Sequence, residues 1–223
     1  MNIITTAEPL VSAAEQVADS IRRELLAGHK VLWLLSGGSS LTIATLAAAE
    51  LRDLDLQRLF VTMSDERYGL TGHADENWQQ LLDSGFELPG AQLYRPLTGD
   101  TLDDTVAHFN RWLDETHTDV DYTIGIFGIG PDGHTAGIKP HSPAILSQHM
   151  AEAYEAEDFT RVTITPHLIM ECDEVVIQAS GDDKESVLRQ WLTTDMPVGE
   201  QPAQALKAVA NATLYTTNNL GDN

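Results

Sequence analysis

One cysteine in 223 residues, Cys172, has no partner for an internal disulfide and excludes any multi-cysteine metal site. Cations are scarce too. Four lysines and nine arginines stand against 34 acidic residues, for a formal charge of −21. A field of that sign repels nucleic acid and anionic lipid, so neither is expected as a partner. No apolar run approaches the length that spans a bilayer. The start, Met1 to Pro9, has neither the basic residues nor the apolar stretch of a secretory leader, so a cytoplasmic enzyme is expected. No H-E-x-x-H or His/Cys ligand spacing appears, which argues against zinc, and no cofactor motif is present: G-x-G-x-x-G and the P-loop Gly-Lys-Ser/Thr are both missing. No G-x-S-x-G elbow offers a hydrolase serine. The acids are scattered rather than blocked, which fits solubility or a saline cytoplasm. No repeat, low-complexity tract or linker divides the chain, and one domain over 1–223 is expected.

What is present alternates. Pro9 to Ala27 carries apolar residues at helical spacing, with Pro9 suited to a first turn and Gly28 to a C-terminal cap. Lys30 to Leu35 reads as a strand buried on both faces, and Leu41 to Leu51 as an alanine-rich helix. Leu59 to Met63 is a second strand, Glu76 to Ser84 a short helix, and Asp100 to Thr116 an amphipathic one. Tyr122 to Phe127 is a third strand. Extended stretches at 151–154 and 161–164 follow, then a strand over Glu174 to Ala179 and a helix bearing Val187, Leu188, Trp191 and Leu192. Residues 195–210 have no clear pattern, and Thr213 to Thr217 reads as a last strand. The order predicts an α/β fold: a single-domain, layered structure with a mainly parallel, Rossmann-like central sheet flanked by helices.

In such sheets ligands sit beyond the carboxyl ends of the strands. Four loops are placed there: 36–40, 64–68, 128–137 and 180–184. The first, Ser36-Gly37-Gly38-Ser39-Ser40, puts backbone N–H groups and hydroxyls at a helix start, a ready anion cradle, although Gly and Ser also serve simply to turn a chain. Arg67 follows a strand end and Lys184 opens a helix; in so acidic a chain both suggest anion binding, with an ordinary surface ion pair as the alternative for each. Lys139 is similarly placed. The loop after Tyr122–Phe127 holds glycines at 128, 130 and 133, with Asp132 and His134 among them. Of eight histidines only His134 is delivered by a glycine-rich loop at the end of a buried strand, the place for a general base; the alternative is a tight turn with a surface histidine. A base, several anion-binding elements and no nucleophile or metal motif suit water attack or proton transfer on a small phosphorylated substrate.

The segments 36–40, Ser64-Asp65-Glu66-Arg67-Tyr68, Gly128 to Ala136, Arg161 to Thr165 and Gly181 to Lys184 occur in an order and spacing that resembles the 6-phosphogluconolactonases, a group related to glucosamine-6-phosphate isomerase/deaminase. The Gly-Ile-Gly-Pro-Asp-Gly-His segment is the specific one. The resemblance implies hydrolysis of 6-phospho-D-glucono-1,5-lactone to 6-phosphogluconate in the oxidative pentose phosphate pathway, with a small phosphorylated sugar lactone as the partner and no cofactor or metal. Carried over by position, His134 is the base that activates water, and Asp132 shapes the loop and orients it. Gly37, Gly38, Ser39 and Gly130 line the substrate pocket, Arg67, Arg161 and Lys184 are its phosphate-side cations, and Asp65 is the acidic residue of the second loop.

Departures from the family pattern are informative. Leu41 stands where a proline usually starts the helix after Gly-Gly-Ser, and Gly137-Ile138-Lys139 replaces a more apolar run. Similarity falls away beyond about residue 192. Related deaminases carry a glutamate five residues after the loop histidine; here that place is Lys139, which disfavours the deaminase alternative. A third alternative is a non-catalytic sugar-phosphate sensor, but such sensors are usually joined to a basic helix-turn-helix, and this chain is acidic from its start. The sequence carries no reading of oligomeric state.

Overall fold

The computed structural model describes residues 1–220. Ten strands and six helices run in the order β1 (Asn2–Thr5), α1 (Pro9–Leu26), β2 (Val31–Leu35), α2 (Ser40–Glu50), β3 (Leu59–Met63), β4 (Asp65–Arg67), α3 (Asn77–Asp83), β5 (Gln92–Tyr94), α4 (Leu102–Asp119), β6 (Tyr122–Gly128), β7 (Ala151–Glu155), β8 (Thr160–Ile164), α5 (Pro166–Met170), β9 (Glu174–Gln178), α6 (Asp182–Thr193) and β10 (Asn211–Thr216). Seven strands form one parallel sheet in the order β1-β10-β9-β6-β2-β3-β5. All five residues of β2 are buried, as continuous apolar strands are when helices cover both faces. Its Trp33 and Leu35 join the core under α1 and α2, while Leu32 and Leu34 join the core under α4 and α6. Each such side chain contributes roughly 1.5–3 kcal/mol by leaving water.

The expected helices and parallel strands are present, with ends shifted by no more than three residues. β5, on the sheet edge, has no counterpart in the sequence reading, and three further features differ from expectation. Residues 65–67, expected as loop, form β4, which pairs antiparallel with β8, itself paired with β7, in a separate three-stranded sheet. The charged Asp-Glu-Arg sequence conceals a strand because Glu66 is fully buried and accepts the N–H groups of Asn77 and Trp78, both at 2.7 Å. At the N-terminus β1 lies exposed on the sheet edge, so no apolar alternation marks it. Residues Pro202–Ala208, unassigned from sequence, make a 3-10 helix pinned by the Trp191 indole N–H on the Ala203 carbonyl at 2.9 Å.

From β2 the chain builds outward through β3 to β5; from β6 it builds the other way through β9 to β10. The reversal falls between β2 and β6. At such a switch point the two departing loops diverge and leave a crevice. Among the described residues no helix is long and apolar enough to cross a membrane.

Candidate active site

The crevice between β2 and β6 is a cavity of about 380 Å³. The loop leaving β2 is held by Ser36, whose hydroxyl lies 2.8 Å from that of Ser64 at the end of β3. Gly37 admits no side chain, since a Cβ there would meet the carboxamide of Asn77. Ser39 sits at the start of α2 but does not cap it; its hydroxyl donates to Gln178 Oε1 at 2.7 Å instead. The N–H groups of Gly38, Ser39 and Ser40 make no hydrogen bond among the described residues. An uncapped, positive helix terminus therefore lines the cavity, a site suited to an anion.

The loop leaving β6 folds on itself. Gly130 N–H donates to the His134 carbonyl at 2.9 Å, Gly133 N–H to the Gly130 carbonyl at 2.9 Å, and the Thr135 hydroxyl to the Gly128 carbonyl at 2.9 Å. Gly133 takes φ 79° and rests on buried Gln201, while Ala203 N–H donates to its carbonyl at 3.0 Å. The C-terminal segment 201–203 thus braces the loop from beneath. Asp132 Oδ1 accepts the backbone N–H of His134 at 3.1 Å and lies 2.5 Å from its Nδ1. A carboxylate there fixes the tautomer with the proton on Nδ1 and leaves the lone pair on Nε2. Nε2 makes no hydrogen bond among the described residues, and His134 lines the cavity. The second oxygen of Asp132 is 3.5 Å from Lys139 Nζ. Partial burial pushes the Asp132 carboxyl up, but the hydrogen bonds and charge of His134, with the Lys139 ammonium, outweigh it and hold the group well below the usual carboxylate range.

The small sheet supplies the opposite wall. Arg67 on β4 and Arg161 on β8 are register partners. Arg161 is buried and neutralised, 2.6 Å from Asp158 and 3.8 Å from Asp65. Burial raises the Asp65 carboxyl above its ordinary value despite the nearby Arg161 and Arg67 charges. Arg67 has no carboxylate within 4 Å among the described residues; it lies over the Phe159 ring at 5.3 Å and donates to the Asp75 carbonyl at 3.0 Å. Its Nε is buried with no partner among the described residues. Lys184, in the first turn of α6, likewise has no carboxylate partner among them. That turn is fixed by Asn218, which accepts Gly181 N–H at 3.1 Å and donates to its carbonyl at 3.0 Å.

The structure therefore gathers Gly37, Gly38, Ser39, Asp65, Arg67, Gly130, His134, Arg161 and Lys184 around one cavity, with Asp132 behind the imidazole. Two placements refine expectation. Gly130 makes room for the His134 ring, and Arg161 is a paired cation that organises Asp65 and Asp158. Sequence reasoning missed Asn77, Asp158 and Gln178, which also line the cavity. Nothing local marks Asp158 or Gln178; Asn77 was readable only as a helix start. Among the described residues no three His, Cys, Asp or Glu side chains are grouped so as to hold a metal ion.

Comparison with known proteins gives a match of residues 5–215 to the family model described as glucosamine-6-phosphate isomerases/6-phosphogluconolactonase. A 6-phosphogluconolactonase of Neisseria meningitidis serogroup B is 30% identical over 206 residues, covering 82% of this chain and 84% of that protein. One from Mycobacterium tuberculosis is 24% identical, covering 92% and 91%. Among solved structures, 6-phosphogluconolactonase from Thermotoga maritima superposes with a TM-score of 0.80 at 20% identity, over 96% of each chain. A monomeric glucosamine-6-phosphate deaminase superposes with a TM-score of 0.79 at 18% identity, over 97% of each. At those identities the structures establish a shared fold.

Proposed function

The chain belongs to the glucosamine-6-phosphate isomerase/6-phosphogluconolactonase family, and within it we propose that it hydrolyses 6-phospho-D-glucono-1,5-lactone to 6-phosphogluconate, the lactone-opening step of the oxidative pentose phosphate pathway. The observation that carries the reading is the Asp132–His134 pair, whose ring lines a cavity that also holds an uncapped helix terminus and two cations without carboxylate partners among the described residues. His134 Nε2 takes a proton from a water as its oxygen adds to the lactone carbonyl carbon. Asp132 stabilises the imidazolium that forms. As the tetrahedral intermediate collapses, the bond to the ring oxygen breaks and His134 returns the proton to that oxygen, leaving a free hydroxyl and a carboxylic acid that ionises to solvent. Arg67, Lys184 and the amides of Gly38 and Ser39 hold the phosphate; Arg161 keeps Asp65 and Asp158 in place beside it.

One further feature supports lactone opening over deamination. Lys139 occupies the position of the deaminases' glutamate, and the loop offers no second carboxylate at that place. The charge of −21 favours a small-molecule partner over nucleic acid or a membrane surface, and the cytoplasm is the compartment this reading assigns. Residues 1–223 act as one domain in the same proposal, since both sheets wall the one cavity. Purified protein should accelerate loss of freshly prepared 6-phosphogluconolactone above its spontaneous hydrolysis and release no ammonia from glucosamine 6-phosphate. Ammonia release without lactone turnover would replace this reading with the deaminase.

A further inference from the structure

We propose that Lys139 is a positioning residue for the base: by sharing the charge of Asp132 with the imidazole it extends the working range of His134 toward lower pH. The proposal rests on the lactonase reading for its functional meaning, but its physical content is separate.

The geometry assigns each oxygen of Asp132 a different partner. Oδ1 takes the His134 ring at 2.5 Å and Oδ2 faces Lys139 Nζ at 3.5 Å. A carboxylate that faces a single imidazole stabilises its protonated form with its whole charge; one that also faces an ammonium does so less, and the ammonium itself repels the imidazolium. The backbone that carries Lys139 is fixed. Its N–H donates to the Tyr154 hydroxyl at 3.1 Å, and that hydroxyl donates to the Gly137 carbonyl at 2.5 Å. Ile138 beside it is fully buried and bridges back to Thr135. Lys139 lines both the site cavity and a neighbouring one of about 450 Å³ that Asp132 also lines.

Other charged groups surround the same space. Asp65 and Arg67 approach from β4, Arg161 from β8, Asp158 from the turn before it and Lys184 from α6. All of them are common to both Lys139 variants, so a difference between Lys139→Met and Lys139→Arg isolates the positive charge.

The test follows the ring proton resonances of His134 by NMR in the free protein, assigned by their absence in His134→Ala. Wild type, Lys139→Met and Lys139→Arg are compared at fixed ionic strength. The expected result is a titration displaced upward by roughly half to one pH unit in Lys139→Met, the scale of one charge at a partly exposed site. Lys139→Arg should titrate with wild type, because it keeps the charge. The acid limb of the kcat/KM profile should move in the same direction and by the same amount. An unmoved titration in Lys139→Met, or an equal displacement in Lys139→Arg, overturns the proposal. Absence of lactone turnover in wild type would instead overturn the functional reading, and the NMR titration would still decide the role of Lys139.

Discussion

The imidazole of His134 lies against the bare Cα of Gly130, so close that a Cβ at that position would fall 2.1 Å from the ring. Nδ1, the atom that meets Asp132, is among the three ring atoms struck, so a side chain there would push the ring off its partner. The glycine is therefore a condition for the placement of this ring.

Gly130→Ala should fold, since the strain falls on one half-buried side chain, yet lose about 10²-fold in kcat, the scale of a misplacement near 1 Å. Steady-state rates with a far-UV circular dichroism control check this. Wild-type kcat in the variant would mean that the ring can work from another position.

Arg67 and Arg161 face each other across β4 and β8 but differ in company. Arg67→Met removes a cation with no carboxylate partner among the described residues. It should raise KM about tenfold or more, the worth of one charge-assisted hydrogen bond, with stability within about 1 kcal/mol of wild type. Arg161→Met deprives buried Asp65 of its cation and should destabilise by roughly 3 kcal/mol. Urea midpoints and KM values separate the two, and equal stability losses would contradict the distinction.

Asp158 is held below its ordinary carboxylate value, first by the hydrogen bond from Arg161, against a smaller upward push from burial. A folded value below the unfolded one means that this stabilisation is present above about pH 4, the unfolded range, and is lost as pH falls through the lower folded value. The gap in urea midpoint between wild type and Asp158→Asn should hold from pH 7 to about pH 5 and close progressively below pH 4. A gap that widens on acidification would have the wrong sign.

Much of this site was legible from the chain alone, for a reason visible in the strands. β2 is an unbroken apolar run and β6 and β9 are apolar through most of their length, so their ends, and the residues just past them, are marked sharply: Ser36 to Ser39, Gly128 to His134, and Ser180 to Lys184. What stayed hidden depends on contacts between distant segments. β4 has buried charges whose partners, Asn77, Trp78 and Arg161, lie elsewhere in the sequence. Gln201 and Ala203 support the His134 loop from a stretch with no periodicity of its own. The division of the cations into Arg161, paired, and Arg67, without a carboxylate partner among the described residues, is likewise a property of the fold, since Asp65 reaches Arg161 only once β4 and β8 have paired.

The most direct test of the account is the kcat/KM of His134→Ala on freshly prepared 6-phosphogluconolactone, corrected for spontaneous hydrolysis and measured beside a circular dichroism spectrum. A folded variant slower by roughly 10²–10⁴-fold is the predicted result; a folded variant within a few-fold of wild type would contradict it.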